Sequence, residues 1–174
     1  TEQVIKRVVD IIGALFGIIV TSPIMLVTAI VIKLTSKGPV IFKQKRVGMN
    51  GRVFSMYKFR SMYVDAEERK KELMANNEMS SDLMFKMKDD PRVTKIGKFI
   101  RRTSIDELPQ LINVLKGEMS FVGPRPSLPE EVEQFDEWMK VRFTVKPGLT
   151  CYWQVSGRND IDFENWIKLD AKYV

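Results

Sequence analysis

Asp106-Glu107 is the pair of residues best equipped for chemistry in this chain. Adjacent carboxylates are hard oxygen donors for a divalent cation, and a carboxylate can also act as a nucleophile without a general base. Arg101 and Arg102 stand just before the pair, and Arg125 follows inside Gly123-Pro124-Arg125-Pro126. Guanidinium groups grip phosphates, and the two prolines stiffen the loop that carries Arg125. Lys58 and Arg60 fall on one face of a β-prone run by period two, and Arg158 lies in a polar segment near the C-terminus. Together these residues describe a place for a diphosphate, with cations to neutralise it and carboxylates that imply a hard metal such as Mg2+. A plainer reading stands beside this one: the carboxylates cap a helix, and Lys58 with Arg60 protects an edge strand.

What is missing narrows the chemistry. The 174 residues include no histidine, which excludes Ser-His and Cys-His catalysis and histidine-ligated zinc. There is no Walker loop and no Gly-x-Gly-x-x-Gly. Cys151 is the only cysteine, so no internal disulfide can form and a reducing compartment is expected. The net charge of +6 points to anionic partners: phosphates, acidic lipid or nucleic acid.

The elements that must position these residues can be read from pattern. Leu108, Leu111, Ile112 and Leu115 make a helical stripe, and Pro109 fits the first turn, so Asp106 is expected as the N-cap. A helix N-terminus among arginines should hold the Asp106 carboxyl low and ionised. Val40 to Val47 and Arg52 to Met62 flank Gly48-Met49-Asn50-Gly51 as a hairpin. Val64 to Asn76 reads as a charged surface helix, and 77–90 as a loop or short helix that rests on lipid or is solvated. Asp89-Asp90, next to Pro91, is equally a metal pair or a turn. Val93 to Arg102 is a basic helix with Ile96, Phe99 and Ile100 inward. Pro129 to Arg142 is one amphipathic helix with Val132, Phe135, Trp138 and Met139 on its stripe, either core or membrane-facing. Lys146-Pro147-Gly148 is a turn, and Phe163 to Tyr173 a last helix.

Ile11 to Ile32 carries no charge, and as a straight helix it would measure ~33 Å, enough to cross a bilayer core. Two features oppose an ordinary span. Lys6 and Arg7 precede the run while Lys33 and Lys37 follow it, so charge gives no orientation. Ser22-Pro23 sits mid-run, where proline removes a hydrogen bond. A helix-break-helix that enters one leaflet and returns is expected. The chain begins at Thr1, which suggests a fragment.

In its motifs the chain resembles the bacterial sugar transferases, the monotopic phosphoglycosyl transferases that begin polysaccharide assembly. The matching pieces span nearly the whole chain: Lys6-Arg7 with Asp10, Ser22-Pro23, Gly38 to Gln44, Lys58 to Met62, Asp90-Pro91-Arg92, Asp106 to Gln110, Gly123 to Pro126, and Lys146 to Thr150. The resemblance implies a mainly helical α+β fold: a re-entrant membrane element over 1–36, then a catalytic domain over 37–174 with a small hairpin and helices at the membrane surface. It implies transfer of a phosphosugar from a UDP-sugar to undecaprenyl phosphate, with release of UMP, at the cytoplasmic face of the bacterial inner membrane. Asp106 would be the nucleophile, Glu107 would hold Mg2+ with it or orient it, and Lys58, Arg60 and Arg125 would bind phosphates. Arg101, Arg102 and Arg158 add to the phosphate or nucleotide site. The substrates and membrane lipid are the expected partners, without nucleic acid; self-association stays open. Two other classes compete: a membrane-tethered basic binding module, and a phosphatase acting on lipid diphosphates through an aspartyl-phosphate.

Overall fold

The computed structural model describes residues 2–73, 90–156 and 163–174. Expectations for 77–89, including Asp89, and for Arg158 lie outside them. The described chain is mainly helical with small sheets, as an α+β protein should be. It packs as two units drawn from interleaved stretches: Thr1–Ile19, Lys43–Tyr57 and Gln110–Val174, and Val20–Phe42 with Lys58–Pro109.

Helix α1 runs Glu2–Thr35 and contains Pro23 without interruption. The expected break at Ser22-Pro23 is therefore not a gap in the helix. Proline withdraws a single donor, and apolar helices tolerate that where neighbouring groups satisfy the freed carbonyl. The helix is long and apolar enough to cross a membrane, and Ile5, Phe16, Ile19, Leu26 and Leu34 stand exposed. Such a surface needs an apolar partner.

A hairpin joins β1 (Ile41–Val47) to β2 (Val53–Phe59) through a 3-10 turn at Met49–Gly51, where expected. In the first unit Phe54 and Met56 of β2 pack with Ala14 of α1, Val114 and Met119, flanked by Leu115 and Phe121. Val114 and Leu115 belong to α4 (Gln110–Lys116), and Phe121 to β3 (Ser120–Val122). The N-terminal part of α1 is bolted on by polar groups. The Asp10 carboxylate accepts from the Ser120 hydroxyl (2.9 Å) and the Phe121 N–H (3.1 Å). Arg7 donates to the Val114 and Leu115 carbonyls at the open end of α4, both at 2.6 Å, and Lys6 to the Val122 carbonyl at 3.0 Å. Lys6 and Arg7 are thus docking groups as well as flanking charges.

Lys146-Pro147-Gly148 leads into a strand rather than a plain turn. Strand β4 (Gly148–Thr150) pairs in parallel with β3, Ser120 opposite Gly148 and Val122 opposite Thr150. Three residues are too few for a period-two signal, which hid this pair. Its backbones approach so closely that a Cβ on Gly148 would lie 2.1 Å from the Gly123 nitrogen. Only glycine fits there.

The stretch expected as one helix over Pro129 to Arg142 is two elements: α5 (Pro129–Val132) and a 3-10 helix at Glu137–Thr144. Asp136 is extended between them, and Phe135 stacks on Phe143 with ring centroids 6.2 Å apart. That stacking, rather than the 3.6-residue stripe, sets the fold here. Helices α6 (Tyr152–Val155) and α7 (Phe163–Tyr173) complete the unit.

In the second unit Ile32 of α1 packs with Phe59 and Ile100, ringed by Met25, Ala29, Val40, Ile41, Ile96 and Ile105. Helix α2 covers Ala66–Leu73, and α3 covers Lys95–Arg102 with Thr94 as its cap, accepting from the Gly97 N–H at 2.9 Å. Phe99 faces out, against expectation. The buried side is centred on Ile100 and Gly97, whose Cβ would fall 1.9 Å from the Ser61 carbonyl oxygen, so the helix is turned about 100° from Phe99. Asp90 pairs with Arg92 at 2.7 Å, and that pair with its main-chain bond holds the Asp90 carboxyl low. This is the turn reading of the Asp90 segment.

Candidate active site

Asp106 is not a helix N-cap. It lies inside a 3-10 turn, Ile105–Glu107, while α4 starts at Gln110 beyond Pro109. Pro109 lacks an N–H and so cannot extend a hydrogen-bonded turn backwards, although Leu108 before it keeps helical angles (φ −54°, ψ −37°). Ser104 opens the turn with φ at 58°, a left-handed conformation that costs a non-glycine residue energy. Strain of this kind is held where the surrounding structure over-determines it.

The turn buries Asp106 and leaves Glu107 partly open. Lys58, from the end of β2, bridges to Glu107 at 2.9 Å. The Asp106 carboxyl feels Lys58, Glu107 and Arg101. Its pKa is raised, against expectation, because burial outweighs the cations; Lys58 and Arg101 pull it down and Glu107 pushes it up. The second unit thus brings Asp106, Glu107, Lys58 and Arg101 together, with Arg102 exposed on the same last turn of α3.

Arg60 is placed differently. Its side chain is buried and donates to the Lys37 carbonyl, and to the carbonyl (3.0 Å) and hydroxyl (2.7 Å) of Ser36. Arg60 is thus engaged with Ser36 and Lys37, while Lys58 bridges to Glu107. Arg60 fastens the segment that leaves α1.

Arg125 belongs to the first unit, and its loop is fixed carbonyl by carbonyl. The Pro124 oxygen accepts from the Gly148 N–H at 2.9 Å, the Arg125 oxygen from Arg142 at 2.6 Å, and the Pro126 oxygen from Arg46 at 2.9 Å. The Arg125 guanidinium lies over Trp153 and Trp166, 5.0 and 5.6 Å from their centroids. Arg142 pairs with Asp170, both almost fully buried, and burial lifts the Asp170 carboxyl to about 6 against the pull of that arginine. Sequence reasoning missed Arg46, Arg142, Asp170 and the tryptophan cradle. A polar residue facing the core within a β-run was the only available signal, at Arg46.

The donor set suits Mg2+ in kind. Asp106 and Glu107 are adjacent, repel each other and offer only oxygen. Among the described residues no cluster of three or more metal-ligating side chains occurs, so two carboxylates would leave the other positions to water and substrate phosphates, as Mg2+ prefers.

Comparison with known proteins identifies the family. The bacterial sugar transferase family matches residues 1–174. The chain is 53% identical over 175 residues to the galactosyl transferase CpsE of Streptococcus agalactiae, covering 100% of this chain and 38% of that protein. It is 44% identical over 178 residues to the undecaprenyl-phosphate galactose phosphotransferase of Salmonella typhimurium, covering 100% and 37%. It is 41% identical over 181 residues to the UDP-glucose:undecaprenyl-phosphate glucose-1-phosphate transferase of Escherichia coli, covering 99% and 36%. The chain thus spans under two fifths of the length of these relatives. By this family match and these relatives, the chain belongs to the bacterial sugar transferases.

Proposed function

We propose that this chain is the catalytic part of a phosphoglycosyl transferase that moves a phosphosugar from a UDP-sugar to undecaprenyl phosphate, the first membrane step of exopolysaccharide, capsule or O-antigen assembly. The observation that carries this reading is a buried Asp106 set between a second carboxylate and the cations Lys58 and Arg101. An Asp106 oxygen attacks the phosphorus that bears the sugar. The bond from that phosphorus to the bridging oxygen breaks, and UMP leaves with the electron pair. An oxygen of undecaprenyl phosphate then attacks the same phosphorus, forming the lipid diphosphate sugar and freeing the carboxylate. Lys58 and Arg101 offset the charge that builds on the phosphoryl oxygens, and Arg102 and Arg125 bind phosphates of the substrates. Asp106 and Glu107 would hold Mg2+, which supplies further neutralisation of the diphosphate when bound. Arg60 serves the site by holding the end of α1.

We place this activity at the cytoplasmic face of the bacterial inner membrane, with α1 in the lipid and both its ends on that face. Support comes from the two ends themselves. Arg7 and Asp10 bond to α4 and β3, while Ser36 and Lys37 bond to Arg60. All these partners lie downstream of α1, where no second apolar helix of membrane length occurs among the described residues. Because α1 is continuous through Pro23, its ends can share a face only if the helix bends, and we infer that bend at Ser22-Pro23.

The chemistry is tested before the carrier is added. With UDP-sugar alone and Mg2+, the enzyme should release about one UMP per site in a burst and gain the mass of a phosphosugar on Asp106. Asp106→Asn should do neither. UMP appearing only with carrier lipid, and no trapped adduct, would mean direct transfer between the substrates. Release of phosphate without labelled lipid would mean the phosphatase.

A further inference from the structure

Lys146 is a half-buried lysine with no acceptor. Among the described residues its ammonium has no hydrogen bond and no ion pair. It faces cations instead. A Cβ placed on Gly117 would lie 3.4 Å from the Arg7 guanidinium and 3.5 Å from the Lys146 ammonium, so the two are no more than ~7 Å apart. Burial lowers the Lys146 pKa, and Arg7 and Lys6 lower it further, with Asp10 alone opposing them. Asp10 is already committed to Ser120 and Phe121. Three cations thus converge around one occupied carboxylate; main-chain carbonyls answer Lys6 and Arg7, and Lys146 alone has no acceptor among the described residues. An anion from outside the chain would relieve this arrangement.

The surroundings say what kind of anion. The cluster sits at the first turns of α1, whose Val4, Ile5, Val8 and Val9 are exposed. Tyr173 lies beside it, with Lys6 5.9 Å from its ring centroid and its hydroxyl donating to the Val122 carbonyl at 2.8 Å. Tyr152 meets Tyr173 edge-on and is exposed. Cations and tyrosines at the foot of an apolar helix are the arrangement proteins present to headgroups, with acyl chains along the apolar side chains.

We propose that Lys146, with Lys6 and Arg7, seats the phosphodiester of an anionic phospholipid at the foot of α1. This rests on the membrane placement above but not on the transfer chemistry. A membrane lipid is favoured over free phosphate because only a lipid uses the exposed valines and isoleucine next to the cations.

The test reads bound lipid rather than turnover, so a failed transfer assay leaves it standing and the reverse also holds. The chain, purified in detergent, is titrated with phosphatidylglycerol and examined by native mass spectrometry. One phosphatidylglycerol should be retained per chain. Lys146→Met should lower retention about fivefold or more, and Lys146→Arg should restore it. Lys140→Met, which removes a surface cation paired with Glu137, should change nothing. A second readout needs no variant: with the lysine amines isotope-labelled, the Lys146 resonance should titrate at higher pH once phosphatidylglycerol is present. Equal retention by Lys146→Met, or an unmoved Lys146 titration, overturns the proposal. So does the same shift with inorganic phosphate alone, or preference for undecaprenyl phosphate over phosphatidylglycerol.

Discussion

In the proposed reaction the attacking carboxylate is most useful ionised, yet Asp106 is buried deeply enough that its pKa is raised. Two predictions follow from the sign. A metal held by Asp106 would lower its pKa, so the raised value belongs to the metal-free chain, where the carboxyl should titrate above the ordinary carboxylate range by carboxylate NMR. Lys58→Met removes a cation that pulls the value down and should move that titration to still higher pH; an unmoved titration would mean that Lys58 does not act on Asp106. For stability, a raised folded value means a contribution that is full below the unfolded pKa and lost as pH rises through the folded one. Asp106→Asn escapes that loss, so near neutral pH it should melt at or above the parent chain while losing the adduct. The carboxylate pair was legible in the sequence from residue type alone. Its titration was not, since burial depends on a turn that the sequence pattern assigned to a helix end.

Among the elements, β3 and β4 carry the most structure for their length. Gly148→Ala would drive a Cβ to 2.1 Å from the Gly123 nitrogen and 2.4 Å from the Thr150 oxygen. A loss of about 3 kcal/mol is expected in thermal melts, since backbone on both sides cannot yield. Asp10→Ala strands the Ser120 hydroxyl and the Phe121 N–H and should cost about 1–3 kcal/mol. Arg60→Ala removes three bonds to Ser36 and Lys37 and should lower kcat more than it raises KM, because no substrate phosphate is assigned to it. The hairpin was readable because strand alternation and Met49-Asn50-Gly51 agree. The parallel pair was not, because parallel partners are chosen by distant segments and leave no turn between them. The false single helix over Pro129 to Arg142 shows the converse: a stripe at helical spacing was present, but Phe135 found Phe143 instead.

At the scale of the molecule, α1 bears on where the proposed transferase would work. Single cysteines replacing Glu2 and Lys37, with Cys151 removed, should be labelled by an impermeant reagent from the same side of sealed vesicles. Labelling from opposite sides would make α1 an ordinary span. The apolar run was plain in the sequence, and the polar bolts at its ends were not, because Asp10 and Arg7 find partners more than a hundred residues later. That separation also has a cost in time. Asp10 lies 110 residues ahead of Ser120. At ribosomal speeds of about 5–20 residues per second, the helix leaves the tunnel roughly 5 to 20 seconds before its acceptor's donors exist. During that interval the Asp10 carboxylate has neither of those donors, and the exposed apolar side chains of α1 still need cover. In the membrane placement proposed above the bilayer supplies that cover, so lipid would serve this chain as a folding partner before it served as a place of work.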